Sequence, residues 1–135
     1  MQVRFAFLCD YANQSGGGKI NALGIGFDNL FVPDLSMPTK QFSLVIHFEG
    51  NRSEAGRKKI EIHLIDAEEK RVIPPAKGEI HLKAPEFALK TGTALVINYN
   101  NVKFPAYGNY HFSVVLDGHE IVSLPLSITQ PPLKQ

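Results

Sequence analysis

Residues 104–128 read FPAYGNYHFSVVLDGHEIVSLPLSI, two alternating runs around a single Asp-Gly pair. In the first run Tyr110, Phe112, Val114 and Leu116 share one parity, and in the second Val122, Leu124, Leu126 and Ile128 do. A period of two puts each set on one face of a strand, so the stretch predicts a half-buried hairpin. A two-residue Asp117-Gly118 turn sets Leu116 against His119 and throws Val122 and Leu124 onto the face of Ser113 and His111. A three-residue turn, Leu116-Asp117-Gly118, instead pairs Phe112 with Val122 and Tyr110 with Leu124, with Gly118 in the left-handed position. The three-residue turn is therefore expected. Pro125 has no N–H to give a ladder, which places this last strand at an edge or bends it.

The same period recurs along the chain. Residues 2–11 alternate Val3, Phe5, Phe7, Cys9 and Tyr11 against Arg4, Ala6, Leu8 and Asp10, which predicts that Cys9 packs among core aromatics. Residues 19–33 are apolar but broken by Gly24 and Gly26, a sign of a bulge or bend. Phe42, Leu44, Ile46 and Phe48 then mark one strand, Ile60, Ile62 and Leu64 another, Ile80 and Leu82 a short one, and Leu95, Ile97 and Tyr99 a long one. Residues 85–91 have room for one helical turn around Phe87 and Leu89. Eight or nine short strands, Gly- and Pro-rich turns and no amphipathic helix describe an all-β chain, an antiparallel β-sandwich. Gly108-Asn109-Tyr110 resembles the G-x-Y that opens a core strand in immunoglobulin-like sandwiches, where the tyrosine closes a corner by bonding back along the chain. We expect one domain over residues 1–130 and a frayed tail at 131–135, which carries Pro131-Pro132.

Composition removes several classes of function. The 135 residues can bury roughly two-thirds of their unfolded surface without disulfide or metal. Fourteen Lys and Arg balance thirteen Asp and Glu, so no net field draws nucleic acid or an anionic membrane. Arg52, Arg57, Lys58 and Lys59 cluster, but Glu49, Glu54 and Glu61 are interspersed and no aromatic interleaves, so the corner reads as a solvated loop. The first residues, MQVRFAFLCDYAN, lack the pattern of an export leader, and no run reaches the ~18 apolar residues of a membrane span. With a lone cysteine, Cys9, the expected location is cytoplasmic.

Chemical motifs are sparse. A P-loop ending at Gly18-Lys19 needs glycine at 13 and Ser or Thr at 20, where Asn13 and Ile20 stand; a dinucleotide fingerprint from Gly24 and Gly26 needs a glycine at 29, where Asn29 stands. No G-x-S-x-G elbow is present, so no catalytic residue and no cofactor are expected. His47, His63, His81 and His111 fall opposite the apolar parity of their strands and should face outward. A metal- or small-ligand site would need His47 with His63, or His63 with His81, in common reach, and no spacing demands it. The other feature is 24–32, where broken parity spreads Phe27, Leu30 and Phe31 over both faces: a doubly buried strand, or a patch for a protein partner or a second copy.

Asp10-Tyr11-Ala12-Asn13, Gly18-Lys19-Ile20-Asn21-Ala22-Leu23-Gly24 and Phe27-Asp28 together resemble a family of small bacterial proteins of unknown function, read as D-x-A-N, GK-x-N-x-x-G and F-D. The similarity runs on through Phe42-Ser43-Leu44-Val45 and Gly56 to Gly108-Asn109-Tyr110 and Asp117-Gly118; Gly16-Gly17 and Gly26 depart from the pattern. The resemblance implies an immunoglobulin-like sandwich and carries over no ligand, partner or catalytic residue. The function expected is a non-catalytic interaction or assembly module, with the histidine site as the alternative.

Overall fold

The alternating runs become ten strands in the computed structural model, which describes residues 1–16, 19–84 and 86–132. They are β1 (Gln2–Cys9), β2 (Tyr11–Gln14), β3 (Ile20–Leu23), β4 (Asn29–Phe31), β5 (Phe42–Asn51), β6 (Gly56–Asp66), β7 (Ala76–Leu82), β8 (Lys90–Tyr99), β9 (Gly108–Leu116) and β10 (His119–Thr129), and a short 3-10 turn lies at Arg52–Glu54. There are more than eight or nine because the first run breaks at Asp10 into β1 and β2, and residues 19–33 break at the left-handed Gly24 and Gly26 into β3 and β4. Leu133, Lys134 and Gln135 of the tail lie outside the described residues.

Two sheets face each other across one core. The three-stranded sheet has the order β1-β5-β8 and the five-stranded sheet β4-β10-β9-β6-β7; every pairing is antiparallel except the short β4 on β10. Phe42, Leu44, Ile46 and Phe48 from one sheet meet Ile60, Ile62, Leu64, Phe112 and Val114 from the other. At the centre Phe42 stacks on Tyr99 at 5.3 Å between ring centroids and meets Phe112 edge-on at 6.1 Å, the offset and perpendicular arrangements that aromatic quadrupoles favour. The sequence periods locate this core without error on β5, β6 and β9.

Two registers differ from expectation, each through a bulge. The β9–β10 hairpin turns on two residues, not three: His119 pairs with Leu116, and Asp117 and Gly118 have φ of 47° and 83°, the doubly left-handed geometry that matches strand twist. The faces are kept by a shift between Glu120 and Val122, so that Phe112 pairs with Leu124 and Tyr110 with Leu126. In β1 a shift between Val3 and Phe5 inverts the parity: Leu8 joins the main core, while Phe5, Phe7 and Cys9 turn to the outer face. There β2 and β3 fold back as a two-stranded hairpin, and Cys9, Ala12 and Val45 form a second small buried cluster. Ser43 fastens it, accepting from the Ala12 N–H at 3.2 Å and donating to Asn98.

Candidate functional site

The strand histidines do not converge. His47, on β5, sits on the outer face of the three-stranded sheet opposite Ala94, its ring 5.0 Å from that of Phe5. Its Nδ1 is buried with no hydrogen-bond partner among the described residues. Burial pushes its imidazole below the ordinary value, nearby Arg4 pushes the same way, and Glu49 opposes both. His63, on β6, is on the outer face of the five-stranded sheet opposite Ser113 and is nearly buried; its Nε2 lies 3.2 Å from Glu61, whose other oxygen is 3.6 Å from Lys77 Nζ. His81, on β7, is exposed opposite Arg57, six positions along β6 from His63, a separation of about 20 Å at the rise of a strand. His111 pairs with Ile65 and Pro125. Among the described residues no three of His, Cys, Asp and Glu are grouped to hold a metal. Ser113 beside His63 donates to Glu120 at 3.0 Å, so serine and imidazole each engage their own carboxylate rather than one another.

The proposed apolar patch is divided by the sheet. Leu30 pairs with buried Ile128 and packs on the core, as does Phe27, which meets Phe42 edge-on at 6.5 Å. Phe31, the next residue along β4, faces out and is 60% exposed. One strand therefore uses its two faces differently, and the three residues form no continuous surface.

A different segment projects apolar side chains into solvent. β7 and β8 are joined by residues 83–89, and both ends of this loop are fastened. Thr91 Oγ1 donates to the Lys83 carbonyl at 2.6 Å; Arg52 donates through Nη1 to the Ala88 carbonyl at 2.9 Å and through its N–H to the Leu89 carbonyl at 3.1 Å. Between these anchors Phe87 is 93% exposed and Leu89 85% exposed. Phe87 also has a φ of 70°, a left-handed conformation that costs a bulky L-residue about 1–2 kcal/mol. The segment has room for one helical turn around Phe87 and Leu89, but no helix forms among its described residues, and both side chains face solvent.

No helix among the described residues is long and apolar enough to cross a membrane. No curated protein matches the sequence. Among solved structures the fold is similar to part of the Pseudomonas fluorescens alkylpurine DNA glycosylase AlkC bound to DNA containing an abasic site analog, at 9% identity and TM-score 0.47, over 76% of this chain and 28% of that one. It is also similar to part of the beta-glucosidase from Listeria innocua in complex with gluconolactone, at 14% identity and TM-score 0.48, over 79% of this chain and 15% of that one. This chain thus spans well under a third of either protein, and likenesses of this degree carry no activity across. Residues 4–129, nearly the whole sequence, match the profile of DUF6941, so the chain belongs to this family of unknown function.

Proposed function

We infer that the protein is a non-catalytic interaction module of the bacterial cytoplasm whose contact surface centres on Phe87 and Leu89. The carrying observation is the near-complete exposure of Phe87 and Leu89 on a loop tied down at both ends. Burying two such side chains against a partner is worth about 2 kcal/mol each, and the fastened loop loses little further freedom on docking. The immunoglobulin-like character of the sandwich is supported by Tyr110, whose hydroxyl donates to the Ala106 carbonyl at 2.6 Å, four residues back at the start of a core strand. A reducing location is supported by Cys9, the single cysteine of the sequence, which is buried and free.

The test is the Phe87→Asp/Leu89→Asp double variant, compared with the unaltered chain by quantitative affinity capture from the native host. Loss of the captured protein with an unchanged thermal midpoint is the expected result. Identical capture by both chains overturns the assignment of the surface.

A further inference from the structure

Among the described residues no strand pairs with the outer edge of β7, and its charges are arranged as if for a copy of itself. β7 ends the five-stranded sheet, paired on one side only, to β6. It touches β8 of the other sheet through the isolated Lys83–Gly92 bridge, and further back the two strands line a slot of about 140 Å³ with Ile60, Ile62, Ile80, Leu95 and Ile97. The slot stays open because the β7 residues over it, Ala76 and Gly78, are small; a Cβ on Gly78 would meet nothing within 4 Å.

We propose that two copies of the chain pair antiparallel along β7, with Gly78 opposite Gly78 of the second copy. On the outer face this register sets Lys77 opposite Glu79 of the second copy, twice by symmetry. Within one chain Glu61 already stands opposite Lys77, and Lys59 opposite Glu79. Across the joined sheets the order becomes Glu61, Lys77, then Glu79 and Lys59 of the second copy, strictly alternating in sign, and the twofold axis repeats it. On the inner face the small Ala76 comes opposite Ile80 of the second copy, a side chain that each copy keeps in its own core, so the pairing brings no bulky groups into collision there. Centring the axis on Lys77 or Glu79 instead sets like charges against each other. Centring it between two residues turns one sheet over, with apolar side chains facing water. Of the face-preserving axes centred on Lys77, Gly78 or Glu79, only the one on Gly78 sets opposite charges together, which favours a second copy in this register. This contact lies apart from Phe87 and Leu89.

The test uses untagged full chain in sedimentation and light scattering from about 1 µM to about 1 mM, the range in which a single strand pairing associates. The unaltered chain is expected to dimerise. Lys77→Glu alone sets four carboxylates face to face and Glu79→Lys alone four ammonium groups, so each is expected to weaken self-association at least 10-fold, while an equimolar mixture of the two variants restores dimers. Circular dichroism on each variant reports the fold, and the mixing step keeps the result independent of any loss within one chain. A monomer throughout the series overturns the proposal, as does a dimer indifferent to Lys77→Glu or a mixture no tighter than its parts. The Phe87→Asp/Leu89→Asp variant is expected to dimerise normally, so a failure here leaves the loop surface separately testable.

Discussion

His119 stands opposite Leu116 across the Asp117-Gly118 turn, yet Val122 stands opposite Val114, because Ile121 between them has no partner on β9. The turn is further held by the third strand: the Lys59 N–H donates to Asp117 Oδ1 at 2.8 Å, and the Asp117 N–H donates back to the Lys59 carbonyl at 2.8 Å. Asp117 thus satisfies β6 and the turn at once. Local chemistry at the turn fixes one register, burial of Leu126 and Ile128 fixes another, and the extra residue reconciles them. Deleting Ile121 should then leave every later pair in place. We expect cross-strand NMR contacts between Phe112 and Leu124 to persist, with a stability loss of about 1–2 kcal/mol from the missing side chain; a shift of those contacts by one residue contradicts the bulge.

Tyr110→Phe removes the hydroxyl that satisfies the Ala106 carbonyl and keeps the ring, which meets Phe104 edge-on at 4.9 Å. The expected cost is about 1–2 kcal/mol in urea unfolding, with an unchanged slope because the core is kept. A neutral result would show that water replaces the bond.

Gly92 lies where β8 crosses closest to β5: an added Cβ would sit 2.9 Å from the Phe48 carbonyl oxygen and 3.4 Å from the His47 ring. Backbone cannot yield as a side chain tip can, so Gly92→Ala should cost about 1–3 kcal/mol by thermal or denaturant unfolding. Gly78→Ala, in open space, should stay within about 1 kcal/mol of the unaltered chain.

His47 should make stability depend on pH in a definite direction. Its folded pKa lies below the reference 6.5, so the unfolded chain takes up the proton first as pH falls. Stability is therefore full above the unfolded value and is lost as pH drops below it, through the depressed folded value. The carboxyls of Glu49, Glu54 and Glu61 are also depressed, from 4.5, and their contribution is lost only in a lower window. Between about pH 7 and 5, His47→Gln should flatten the fall in unfolding midpoint. An equal slope in both proteins would remove His47 from the account.

What the sequence discloses here tracks what periodicity can carry. The inward sets of β5 and β6 repeat every second residue without interruption, and they form the core as read. The bond from the Tyr110 hydroxyl back to the Ala106 carbonyl is legible too, because its partners lie four residues apart. Parity fails at Arg4, where one unpaired residue reverses every later face of β1, while at Ile121 the unpaired residue changes the turn and register but keeps the faces. Cys9 is buried as expected, but beneath β2 and β3 on the outer side of its sheet, since nothing in the alternation says that a hairpin will cover that face. The histidines lie off the inward parity of their strands, but His63 is buried rather than outward, and their separation depends on strand order. The β7 edge and the exposure of Phe87 follow from topology as well, which no single stretch encodes.

The central claim, that Phe87 and Leu89 meet another protein, is tested most directly by site-specific photo-crosslinking in the native host, with a benzophenone side chain at position 87 and, as control, at exposed Lys70. The account predicts a discrete, heavier adduct from position 87 that the control does not give. The same faint pattern from both positions would contradict it.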